Sequence, residues 1–109
     1  VTPSYRRHLG PLHDPIDAAG QKARIRMFQR AFPDLRFEIQ TILVEGDRGM
    51  FHVVVRGTHR SELMGVPATG ASIVIEALDV VRLQDGKIAE HWGVVDLMSL
   101  HQQLKAAAS

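Results

Sequence analysis

Residues 79–96 read "DVVRLQDGKIAEHWGVVD". The pair Asp85-Gly86 stands between two largely apolar runs and is the best two-residue hairpin signal in the chain. The two arms therefore pair antiparallel. The first arm extends back to Ala71, and "ASIVIEALDVVRL" would span about 40 Å as a strand. A strand that long belongs to a strongly twisted or curved sheet. Both of its parities are apolar, with Ile73, Ile75, Ala77 and Val81 on one and Val74, Leu78 and Val80 on the other. Protein is therefore expected on both faces, a helix on one side and a second subunit on the other.

The returning arm, "IAEHWGVVD", poses a chemical question. The stretch Gly86–Asp96 holds Lys87, Glu90, His91, the chain's only tryptophan, Trp92, and Asp96. Such groups are costly to bury without partners. One reading accounts for them: an end of a buried strand faces a pocket.

Upstream, "GQKARIRMFQRAFPDL" places Ala23, Met27 and Ala31, and Ile25, Phe28 and Phe32, at the three- and four-residue spacing of one helix face. Pro33 disfavours helix at Phe32, so the helix stops there. "LRFEIQTILVEGD" alternates Leu35, Phe37, Ile39, Thr41 and Leu43 against Arg36, Glu38 and Gln40, a strand with one buried face. "EGDRG" signals a turn, and "MFHVVVRGTH" is the next strand. "RSELMGVPATG" reads as a connection. Asp96 is placed to cap a final helix, "LMSLHQQLKAA", with Leu97, Leu100 and Leu104 on one stripe. Residues 1–16, with Pro3, Gly10, Pro11 and Pro15, read as irregular. The expected fold is α+β: one curved antiparallel sheet of about four strands over a helix, closed by a short C-terminal helix.

The totals set limits. A chain of 109 residues suits one domain. With 45% hydrophobic and 23% charged residues, a globular fold is expected. Lys+Arg number 13 against 12 Asp+Glu, and only "YRRH" at Tyr5–His8 resembles a basic patch, so nucleic acid is not an expected partner. Without cysteine there is no disulfide or thiolate chemistry, and a cytoplasmic setting is expected. No apolar run approaches the ~18 residues of a membrane span. The six histidines show no metal-ligand spacing, and no phosphate-binding glycine motif is present.

"AFPDL", "EGD", "GTHRSELMGVPATG", "DVVRLQDGKIAEHWGVVD" and the closing "HQQL" together resemble the SnoaL-like polyketide cyclase family of the NTF2-like superfamily, over about residues 20–104. The resemblance implies a cone-shaped α+β fold around one apolar pocket, a homodimer or higher oligomer, and general acid/base chemistry on a small apolar carbonyl-type substrate without metal or cofactor. Cyclase, isomerase and hydrolase types all fall within it. The family carries one or two further N-terminal helices, so these are expected to be shortened or missing before "TPSYRRHL". A non-catalytic small-molecule binding module and a structural dimerisation domain share the same fold and remain as alternatives.

Asp96 matches the family's catalytic acid/base. A carboxylate in an apolar cone is desolvated and readied for proton exchange; its other role is the helix cap. His59 continues the apolar parity of Phe51, Val53 and Val55 and is a candidate proton partner, with a backbone-bonded strand-end histidine as the plainer role. Arg82 is a candidate for stabilising enolate charge, or an ion-pair partner of Glu62, Glu76 or Glu90. Trp92 would form a pocket wall, joined by Phe28, Phe51, Val55, Leu78 and Val94, with Tyr5, His8 and His13 near an entrance. Strict alternation from Trp92 turns His91 to the outer face. Of Glu76 and Asp79, at least one is expected to be paired.

Overall fold

The computed structural model describes residues 1–9 and 14–108; His13, with Gly10 and Pro11, lies outside them. The elements are β1 (Arg6–His8), α1 (Ala18–Ala31), β2 (Arg36–Glu45), β3 (Arg48–Thr58), β4 (Ser72–Gln84), β5 (Lys87–Val95) and α2 (Leu97–Ala108). Asp85 (φ 52°) and Gly86 (φ 76°) both take the left-handed conformation that a tight β4–β5 hairpin turn requires. Strands β2 to β5 form an antiparallel meander, and β1 adds to β5 in parallel. The curved sheet runs β1-β5-β4-β3-β2. It has five strands where four were expected. The fifth, β1, lies in the proline-rich stretch read as irregular, because three residues are too few to display a period.

One face of the sheet carries Val53 and Val55 of β3, Ile73, Ile75, Ala77 and Val81 of β4, and Ala89 of β5, all buried. Helix α1 lies over this face. It begins where the Asp17 side chain accepts the Gly20 N–H at 2.9 Å. At its other end Ala31 and Phe32 join Leu63, Val66, Ile73, Leu100 and Leu104 in the core. Helix α2 completes that core. It is fixed to the sheet by Gln103, whose amide donates to the Val74 carbonyl at 2.8 Å and accepts the Val74 N–H at 3.1 Å. The side chain thus continues the ladder beyond the end of β5.

Two strand expectations change. All ten residues of β2 are exposed rather than buried on one face, because β2 is the sheet edge. A register shift between Ile39 and Thr41 also moves Thr41 and Leu43 away from the Phe37 and Ile39 face. On β4 the second apolar parity, Val74 and Leu78, is exposed within this single chain.

The packing of α1 depends on Gly57. A Cβ there would stand 2.9 Å from the Phe32 Cβ, and Phe32 is fully buried. Gly57→Ala should therefore cost about 1–3 kcal/mol by overpacking, read as a lower urea midpoint with an unchanged m-value. An unaltered midpoint would mean that the helix end yields freely.

Candidate functional site

Between α1 and the sheet lies a cavity of about 260 Å³. Its walls are largely apolar: Ile25 and Phe28 of α1, Leu35 and Phe37, Val53 and Val55, Ile75 and Ala77, and Val95. The polar groups are Arg7 of β1, Gln21 and Arg24 of α1, Asp79 of β4 and His91 of β5. A mainly apolar hollow with a few convergent polar groups is the usual form of a ligand site.

The register brings these groups together. Arg7 lies beside His91 across the parallel β1–β5 pair, and Asp79 lies opposite Gly93 across β4–β5. The Arg7 backbone is held on its free edge by Ile16, through hydrogen bonds of 2.8 and 2.9 Å. His91 Nε2 donates to Asp79 Oδ1 at 2.8 Å, and Arg7 Nη1 approaches the same oxygen at 3.4 Å. The Tyr5 hydroxyl stands 3.4 Å from His91 Nδ1. Gly93 makes this packing possible. A Cβ there would collide with Asp79 Oδ1 and stand 2.6 Å from both terminal nitrogens of Arg7.

Electrostatics assigns protonation. Burial pushes the Asp79 carboxyl upward, but the hydrogen bonds and charges of His91 and Arg7 outweigh it and hold the group below the usual carboxylate value. Asp79 is thus an anion at neutral pH. Burial raises the Tyr5 phenol, against the lowering charges of Arg7 and Arg24, so it stays protonated. Burial lowers Arg24, and the charge of Arg7 adds to that; a guanidinium nevertheless remains a cation.

The residues singled out from sequence fall into three groups. Phe28 and Val55 line the cavity, and Tyr5 is buried against His91. His59 and Phe51 belong to the core. His59 is 0% exposed, and its Nδ1 accepts the Thr69 N–H at 3.2 Å. The rest lie away from the cavity. Trp92 and His8 stack on the opposite face of the sheet with ring centroids 4.9 Å apart, and Arg48 covers the same indole at 4.9 Å. Arg82 donates to Glu90 at 2.7 Å beside them, while His8 Nε2 meets Glu90 at 3.0 Å. Leu78, Val94 and Asp96 line an open depression of that outer face. Asp96 caps α2, its carboxylate accepting the Ser99 N–H at 3.0 Å. The reading that turned His91 outward and Trp92 inward is reversed: Ala89, His91, Gly93 and Val95 occupy the inner parity.

The residues not anticipated as a site are Arg7, Gln21, Arg24 and His91. Asp79 was expected only to be paired. Among the described residues, no three His, Cys, Asp or Glu side chains converge as a metal site, and no helix is long and apolar enough to cross a membrane.

Comparison with known proteins agrees with this architecture. The model of the SnoaL-like polyketide cyclase family matches residues 1–104. AclR, a candidate hydroxylase from Streptomyces galilaeus, superimposes with a TM-score of 0.88 at 30% identity, over 96% of this chain and 77% of AclR. IdmH, a candidate polyketide cyclase from Streptomyces antibioticus, gives 0.84 at 34% identity, over 96% of this chain and 81% of IdmH. A candidate cyclase from Acidithiobacillus ferrooxidans gives 0.83 at 29%, over 99% and 79%. No match is found among curated proteins.

Asp79 has a depressed folded-state value, so its stabilisation is present above the unfolded value of about 4 and is lost as pH falls through the folded one. Urea midpoints measured from pH 7 to pH 2.5 should therefore fall more steeply for the wild type than for Asp79→Asn. Parallel curves would mean that the carboxylate contributes nothing.

Proposed function

Because the chain belongs to the SnoaL-like polyketide cyclase family, matched over residues 1–104, we propose that it is a cofactor-free enzyme in which His91, oriented by Asp79, moves a proton beside a carbonyl group of a small apolar substrate. The observation that carries this reading is the 2.8 Å contact of His91 Nε2 with Asp79 in the wall of an otherwise apolar cavity. With Nε2–H donated to Asp79, Nδ1 is the basic nitrogen. Its contact with the Tyr5 hydroxyl is long, at 3.4 Å, and a substrate proton can replace it.

In this mechanism the base takes a proton from the carbon next to the carbonyl. The C–H electron pair becomes an enolate, and the cationic Arg7, beside His91, stabilises its oxygen. Asp79 stabilises the imidazolium, as a carboxylate does behind any general-base histidine. The enolate then takes the proton back at another carbon, or attacks a second carbonyl. In the second case a C–C bond forms and the imidazolium returns its proton to the new alkoxide. Arg82 is committed to Glu90 on the outer face and is not needed for this step.

A binding module without chemistry is favoured by one observation: both ring nitrogens of His91 already face protein partners. The reading extends to a cytoplasmic homodimer joined through the outer face, where Leu78, Val94 and Met98 are 53%, 72% and 74% exposed. Sedimentation should then give twice the 12.1 kDa chain mass, and Val94→Lys should return it to a single copy.

Catalysis is tested by deuterium exchange at the α-carbon of aryl ketones and aryl β-keto esters. His91→Gln should lower the rate by about 10²–10⁴-fold with an unchanged circular dichroism spectrum. Asp79→Asn should lower it as well, and Asp96→Asn, which preserves the cap, should leave it intact. Loss in Asp96→Asn with retention in His91→Gln would move the chemistry to Asp96. No exchange with the wild type would favour the binding module.

A further inference from the structure

One face of α1 presents Gln21, Arg24 and Phe28 to the cavity, at the i, i+3, i+7 spacing of a helical stripe. Arg24 is the unusual member. Its guanidinium carbon stands 5.5 Å from the centroid of the Phe28 ring, and among the described residues no carboxylate pairs with it. Among the described residues Asp79 is the one carboxylate that lines the cavity, and Arg7 and His91 already occupy its Oδ1. Two guanidinium cations thus line the cavity against one carboxylate anion.

A cation removed from water without a counter-ion is costly. Arg24 keeps part of its surface in water, and the surplus positive charge at this wall favours an anionic ligand. The neighbouring polar atoms agree that the site is incomplete: Gln21 Oε1 and Arg7 Nε are both buried without a hydrogen-bond partner. Gln21 offers an acceptor, suited to a ligand hydroxyl or N–H. Beyond Phe28 the walls become aliphatic and aromatic, ending at Phe37. For scale, a cavity of about 150 Å³ holds one benzene ring, so a hollow of about 260 Å³ takes a planar body of two rings.

We infer that the cavity takes an apolar, planar ligand bearing a carboxylate, and that Arg24, stacked on Phe28, is the residue that selects the anion. This rests on the preceding reading only in taking the cavity as the substrate site. A carboxylate matches the planar fork of a guanidinium better than a single point charge would. Because Arg24 is partly desolvated, its attraction for an anion is screened less than that of a surface arginine. The carboxyl end would lie against α1, and the rings would extend between Phe28 and the aliphatic floor of β3 and β4. That orientation leaves the reacting carbon on the side of His91.

The probes are 2-naphthoate and its neutral counterpart 2-naphthamide, measured by titration calorimetry at pH 7.5. The wild type should bind naphthoate at least 10-fold more tightly than the amide. Arg24→Met should remove that preference while keeping amide affinity within about twofold, and Arg24→Lys should keep part of it. Equal affinities in the wild type, binding of neither probe, or a preference that survives Arg24→Met would each overturn the inference. The deuterium-exchange assay on the wild type separates the two proposals. Naphthoate selectivity without any proton exchange would remove the catalytic reading alone, and exchange without selectivity would remove this one alone.

Discussion

The half-buried carboxylate of Asp79 is the constraint around which the site is organised. It sits on β4, near the middle of the sheet, where an isolated charge would be untenable. Its partners come from the two strands beyond it: His91 from β5 at 2.8 Å and Arg7 from β1 at 3.4 Å. One oxygen therefore joins β4, its hairpin partner β5, and β1 from the other end of the chain. Arg7 is itself only 2% exposed, so each ion is tolerable only with the other present. Gly93 is the third condition. It lies opposite Asp79 and lacks the Cβ that would occupy the space of the carboxylate and guanidinium.

Much of the fold was legible because its signals are local. The hairpin at Asp85-Gly86, the helix ending before Pro33 and the aspartate heading α2 each rest on a few adjacent residues whose backbone preferences are strong. What failed to show was non-local. Strand β1 is three residues long, and its pairing with β5 depends on a partner at the other end of the chain. The shift after Ile39 was invisible for a related reason. A bulge leaves a perfectly alternating sequence in place and changes only which face each residue meets.

Several residues singled out from sequence lie away from the cavity, and the cause lies in which face of β5 turns inward. Sequence reasoning took the large residues of β5, Trp92 and Val94, as the inner set. On β5 the inner face instead carries Ala89, His91, Gly93 and Val95, of which His91 and Val95 line the cavity. The bulky set is accommodated outside, where Trp92 is sandwiched between His8 and Arg48. Parity was correctly recognised, but its direction was reversed, and that one inversion displaced Trp92, Val94 and Asp96 from the pocket together. The useful signal was Asp79 itself, a single charge on the otherwise apolar parity of Ile73, Ile75 and Ala77.

The histidines show why residue type alone could not identify the chemistry. His59 is more deeply buried than His91, yet its Nδ1 is committed to the Thr69 backbone and its ring leans on Phe32, with centroids 5.8 Å apart. It tethers the connection after β3 to the core. His8 is equally committed on the outer face, to Trp92 and Glu90. His91 differs because its partners are themselves incomplete. Asp79 is an anion whose contacts converge on one oxygen, Tyr5 meets the ring at a long distance, and Arg7 retains an unpartnered Nε. His59 Nε2 is itself buried without a partner, so an open ring nitrogen does not mark the working histidine; His91 is set apart by its place in the cavity wall. Along this cavity the incomplete positions continue from Arg7 to Gln21 and Arg24, and a single amphiphilic anion is the simplest ligand that satisfies them together.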